Sequence, residues 1–256
     1  MGSYFIYDSI NQYRSDNTVS EGQMTDSATP TFSATSTITD HERASDQNIS
    51  TIISAVVDRD AIEYAVGSSV TTNAAAVYFT GDDNVSSGTI MNFFVDTDRA
   101  SLPNKGTITA VSAAGWATTN LTETTGTKFF VEFTGAVTNV SEVLIGKKLT
   151  FEIEPDVNIQ SSINYQNSIQ KSLGGVEYAL NINPGQEEIT IGFQNISSTF
   201  KDALVEMQNQ LKGESKKLLY FDGSNYHWCR LGKSMVFTEI ADSRWSTQIK
   251  MRQQIQ

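Results

Sequence analysis

The chain has one cysteine, Cys229, among 256 residues, so no intrachain disulfide framework is available to it. Cys229 sits in a strand-like run beside Trp228 and reads as a small buried hydrophobe. A catalytic thiol would need a base and an orienting group that nothing in its vicinity supplies. Two histidines, His41 and His227, are too few and too far apart for zinc-ligand spacing. Four prolines leave the backbone free for strands, and no run approaches the roughly 20 apolar residues that cross a bilayer. Residues 1–8 lack the basic flank and apolar stretch of a signal peptide, and Ile6 stands where a myristoylation signal wants Ser or Thr. Neither phosphate-cradling glycine motif occurs, nor the alternating βα order that each requires. Carboxylates are spread over strand ends, so no acid pair for glycoside hydrolysis is singled out. Asp82, Asp83, Asp96 and Asp98 lie in turns without a full calcium-loop pattern and read as solvated acids. No enzyme, cofactor or metal is expected.

What is present is β-branched and polar: Thr, Ser, Asn, Val and Ile are common, and such residues suit a pleated sheet. Charge is scarce and uneven. Residues 1–158 hold eight Lys and Arg against twenty Asp and Glu, a balance of -12; residues 159–256 hold ten against nine, a balance of +1. The acidic part repels nucleic-acid phosphates, so DNA is not an expected partner, and no membrane insertion is expected. Five Asn-x-Ser/Thr sites are what this composition gives by chance.

Period-two alternation marks strands over 61–66, 74–80, 89–96, 106–111, 127–134 and 146–154, divided by turns at 67–69 and 81–88. The polar region before them predicts short strands near 31–36 and 48–56. The charge change near 155–158 sets an expected boundary between an acidic sandwich, 1–158, and a second domain, 159–256. The second begins with a meander over 163–193. Phe200, Leu204, Met207 and Leu211 then recur at helical steps, predicting one helix over 198–212 that Ser198 or Thr199 caps and Gly213 closes. A hairpin, 218–221 with 226–231, and strands 235–240 and 245–253 follow. The expected fold class is all-β: an N-terminal jelly-roll β-sandwich, then a small antiparallel β-barrel carrying one α-helix.

The aromatics are the candidate contact residues. Tyr220, Phe221, Tyr226, Trp228, Phe237 and Trp245 load the second domain, as core or as assembly anchors. Trp116, in the small-residue run Ala113-Ala114-Gly115-Trp116, is expected in a surface loop. There it is either a carbohydrate-stacking platform or a wedge into the sandwich core.

The run 33–60 with 61–66, 75–81 and 84–94, including the loop Gly81-Asp82-Asp83-Asn84-Val85-Ser86-Ser87-Gly88-Thr89, resembles the discoidin-like, galactose-binding jelly roll of tailed-bacteriophage virion proteins. The run from Gly174-Gly175-Val176-Glu177-Tyr178 through Phe193-Gln194-Asn195-Ile196-Ser197 to Leu219-Tyr220-Phe221-Asp222 resembles a distal-tail module. The resemblance implies a ring-forming minor tail or baseplate protein of the virion, assembled in the host cytoplasm. Its implied partners are copies of itself, the tail tube, the hub and other virion proteins. A head-neck connector is one alternative, and a module binding host-surface glycan through Trp116 is another.

Overall fold

The computed structural model describes residues 2–10, 18–25, 31–33, 38, 53, 60–80, 90–96, 104–109, 114–134, 140–156, 160–164, 167–171, 177–181 and 186–253. In chain order the elements are β1 (Tyr4–Asp8), β2 (Thr18–Thr25), β3 (Thr31–Ser33), β4 (Asp60–Phe79), β5 (Ile90–Asp96), β6 (Asn104–Thr109), β7 (Gly115–Thr134) and β8 (Val140–Thr150). Then follow β9 (Gln160–Asn164), β10 (Asn167–Lys171), β11 (Glu177–Asn181), β12 (Gln186–Ser197), α1 (Ser198–Gln210), β13 (Lys217–Phe221), β14 (Tyr226–Leu231), β15 (Phe237–Ala241) and β16 (Arg244–Gln253). Two compact units result. One is Ile6–Lys148; the other joins Met1–Phe5 to Leu149–Gln256.

The unit Ile6–Lys148 is organised by two 20-residue strands, β4 and β7, paired antiparallel along most of their length. Sequence periodicity predicts a turn at 67–69, yet β4 runs straight through it. Register shifts between Ala65 and Val70 and between Thr72 and Ala74 absorb the irregular residues, as bulges do. Strands add outward in the order β6-β5-β7-β4-β8, and β2 also pairs with β4. One apolar cluster draws Tyr64 and Val77 from opposite halves of β4, and Leu121 and Val131 from opposite halves of β7. The two halves of each strand therefore serve the same core. Expected pieces over 48–56 and 81–88 lie almost wholly outside the described residues; within them Ile53 makes an isolated bridge to Val140.

In the other unit the strands run β13-β14-β16-β12-β9, with β15 on β16 and a separate β10–β11 hairpin. The expected barrel is not formed: among the described residues no pairing carries β9 back to β13. Closure needs a staggered register around the whole ring. Here α1 lies against β12 and β16, and its apolar stripe covers the face that a barrel would enclose. Phe200, Leu204, Met207 and Leu211 are all buried, as helical spacing predicts. They meet an aromatic cluster in which Phe151 contacts Phe193, Phe200, Tyr220 and Phe5 at ring separations of 4.8–6.3 Å.

The helix cap falls one residue earlier than expected. Ser197 Oγ accepts from the Phe200 N–H at 3.1 Å and donates to Glu152 Oε2 at 2.6 Å, which fixes the start of the first turn. The helix ends one residue before the expected Gly213: Lys212, at φ +49, follows the Leu211 cap in the left-handed region, and the Gly213 N–H donates back to the Gln208 carbonyl at 3.0 Å.

The turn after β13 rests on Asp222. Its Oδ1 accepts from the N–H groups of Ser224 and Asn225 at 2.8 and 2.7 Å, and its Oδ2 lies 2.9 Å from His227 Nε2. Burial alone would raise this carboxyl. The hydrogen bonds from His227, Asn225 and Ser224, with the His227 charge, outweigh it and hold the group below its ordinary 3.8. A depressed folded value means that the stabilisation is complete above the ordinary value and disappears as pH falls through the folded one. Thermal melts of wild type and Asp222→Ala should therefore converge as pH falls from about 5 towards about 2. Parallel curves would show that the turn does not depend on the charged carboxylate.

Candidate functional site

Trp116 is not in a loop. It is the second residue of β7, where the run from Thr118 to Thr127 is rich in β-branched threonine and extends as strand. Alternation settles which way it faces. Ala117 and Leu121 of β7, Ala75, Val77 and Phe79 of β4, and Val143 and Ile145 of β8 all point into the core cluster. Trp116, Thr118 and Asn120 consequently share the opposite face.

Register then assembles the row across three strands. Trp116 pairs with Tyr78, and Tyr78 pairs with Glu142; Thr118 pairs with Ala76, and Asn120 with Ala74. The Trp116 and Tyr78 rings lie 5.3 Å apart at 59°, a tilted contact that braces the indole from one side. Tyr78 is buried, whereas Trp116 remains half-buried and Asn120 exposed. At the far end of the row Lys148 Nζ donates to Asn120 Oδ1 at 3.2 Å, and the Lys148 backbone N–H donates to Asn73 Oδ1 at 2.7 Å. Burial lowers the Lys148 ammonium from its ordinary value. The face thus combines a braced indole, a threonine hydroxyl, an amide and a partly desolvated cation. Sequence reasoning picked out Trp116 and missed Thr118, Asn120 and Lys148, because only strand pairing brings Lys148 to β7.

The other aromatic candidates are engaged inside their own unit. Tyr220, Phe221 and Trp228 are buried. Burial, then the Asp222 charge, pushes the Tyr220 phenol up to about 12. The half-buried Tyr226 has its hydroxyl 3.1 Å from that of Tyr4. Trp245 is half-buried; its Nε1 donates to Ser198 Oγ at 3.2 Å, and Lys201 Nζ stands 4.3 Å over its ring. Phe237 is half-buried on β15. Next to it a cleft of about 410 Å³ is lined by Gly192, Gln194, Val236, Thr238, Ile240 and Gln248, with Val236 and Ile240 well exposed. No sequence signal pointed to this cleft.

Cys229 is buried, and loss of solvent pushes its thiol up, which removes it as a nucleophile. His41, Asp82, Asp83 and Asp98 lie outside the described residues, as does the Asp96 side chain. Among the described residues no three His, Cys, Asp or Glu side chains gather as metal ligands.

No protein-family model matches the chain, and no curated protein does. Solved structures do match. The family 32 carbohydrate-binding module of Clostridium perfringens NanJ, in complex with galactose, is 12% identical; the match covers 57% of this chain and 98% of that one, with a TM-score of 0.38. The family 32 module of AlyQ, in complex with 4,5-unsaturated mannuronic acid, is 21% identical over 46% of this chain and 93% of that one, with a TM-score of 0.34. A family 89 glycoside hydrolase from Clostridium perfringens is 16% identical over 58% of this chain and 16% of that one, with a TM-score of 0.34.

These matches overturn the bacteriophage recognition. With it fall the virion-tail location, the baseplate and head-neck roles, the ring of identical subunits, and the tail-tube and hub partners. The physical reason lies in what the resembling residues do. Asp222 of the Leu219-Tyr220-Phe221-Asp222 run is a turn acid, Tyr220 is core, and Glu177 and Tyr178 begin the second strand of a plain hairpin. Many β proteins need such residues at such spacings.

Proposed function

We propose that this chain is a non-enzymatic carbohydrate-binding module whose ligand stacks on Trp116. The observation that carries the proposal is the alignment of a half-exposed, Tyr78-braced indole with Thr118 and Asn120 on one strand face. A pyranose ring has an apolar C–H face and a rim of hydroxyls. An aromatic plane takes the first, and hydroxyl and amide side chains take the second. Successive same-face residues are about 7 Å apart along a strand, so Thr118 stands beside a ring stacked on the indole.

Galactose, N-acetylgalactosamine and oligosaccharides containing them are the first ligands to titrate calorimetrically. Trp116→Ala is expected to weaken binding at least about tenfold, equivalent to about 1.4 kcal/mol, without moving the melting temperature beyond about 2 °C. Trp116→Phe, which keeps a smaller aromatic plane, should retain part of the affinity. Unchanged affinity in Trp116→Ala would refute the assignment of the site.

A further inference from the structure

We infer that the ligand is an oligosaccharide lying along β7, whose second sugar carries a carbonyl-type acceptor, a carboxylate or an acetamido group, held by Asn120 and Lys148. The inference rests on the Trp116 reading and adds the chemistry of the neighbouring position. Trp116, Thr118 and Asn120 are alternate residues on one strand face. A sugar on the indole therefore reaches Thr118, and Asn120 lies a further step of about 7 Å along. A single ring stacked on Trp116 does not span that distance; the next sugar in a chain does.

The polarity of this second position follows from one hydrogen bond. Lys148 Nζ donates to Asn120 Oδ1, so the acceptor end of the amide is turned to the ammonium and its NH2 end is the one offered to a ligand. The other group there, an ammonium, is also purely a donor. Its main chain is tied to Asn73 Oδ1 at 2.7 Å, which holds the base of the side chain beside β4. Two donors side by side, one of them charged, match a group with two acceptor lone pairs and no proton to give. A plain hydroxyl also has two lone pairs, but it is a weaker acceptor and its own proton finds no acceptor between two donors. Partial burial of Lys148 strengthens the match, because a charge-assisted bond gains where solvent is thinned. A polyanionic chain fits less well than a single acceptor, since residues 6–148 carry eight Lys and Arg against seventeen Asp and Glu.

Three galacto-configured disaccharides separate the possibilities in calorimetric titrations of the full chain: lactose, N-acetyllactosamine and digalacturonate. At least one of the latter two is expected to bind about tenfold or more tightly than lactose. Preference for digalacturonate assigns a carboxylate; preference for N-acetyllactosamine assigns an acetamido carbonyl. Lys148→Met should erase a carboxylate preference, and Asn120→Ala an acetamido preference. Asn120→Asp places an acceptor where the amide donor stood, so it should reverse either preference with the fold intact at this exposed position. Equal affinity for all three disaccharides, with binding still lost in Trp116→Ala, overturns this inference alone. No binding of any of them to the wild type counts against the Trp116 site as well.

Discussion

Replacing Gly146 by alanine is expected to cost about 3 kcal/mol or more of stability, the larger of the two glycine effects that this fold makes measurable. A Cβ at this position would stand 1.9 Å from the Tyr7 carbonyl oxygen and 2.8 Å from the Ser9 nitrogen. Both are main-chain atoms, so no side chain can swing aside. The end of β1 would have to leave β8, breaking the bond from Ser9 N–H to the Ile145 carbonyl and lifting Ile10 from the core cluster. Asp8, whose carboxylate accepts from the Ile10 N–H at 2.9 Å, would be displaced with it. Denaturant unfolding monitors this directly. Gly192→Ala is the matched control: its new methyl group meets only Asp156 Oδ2, at 3.8 Å, and the cost should stay within about 1 kcal/mol. An unchanged midpoint for Gly146→Ala would mean that β1 does not run against β8 as described.

The Gly146 contact shows why part of the architecture could not be read from the sequence. Nothing local distinguishes this glycine from one in a turn; its role comes from a strand some 140 residues away in the chain. The same holds for β4 and β7. Gly67–Ser69 looks like a turn, yet β4 runs through it as continuous strand beside β7. Barrel closure is illegible for the same reason, because pairing of edge strands is decided by non-local register. By contrast, local signals served well. Phe200, Leu204, Met207 and Leu211 announced α1 and its buried face, and the residues 222–225 announced the hairpin that Asp222 holds. The site divides along the same line. Trp116 is conspicuous as a large residue among small ones, but its brace Tyr78 and its neighbours Asn120 and Lys148 become visible only once three strands are placed in register.

Leu204→Asp is expected to be as damaging as the glycine change, by a different route, and to cost about 4 kcal/mol or more. Leu204 is fully buried at the middle of the α1 stripe, between Phe200 and Met207, which are also buried. Removing the isobutyl group forfeits apolar burial and opens a cavity, for which large-to-small core changes lose about 2–5 kcal/mol. The aspartate adds a carboxylate to a position surrounded by an apolar stripe, so it must either lose its solvation or pull the helix away from β12 and β16. Aspartate in a helix interior contributes a further loss of about half a kcal/mol through its poor helix propensity. Val205→Asp separates these effects: it introduces the same side chain one residue later, on the exposed side of α1, and should cost no more than about 1 kcal/mol. Circular dichroism at 222 nm during thermal melting reads the difference, since α1 is the one helix among the described residues. Leu204→Asp should melt far earlier than Val205→Asp, and coincident melts would show that α1 is not held by this face, because propensity alone would then account for both variants.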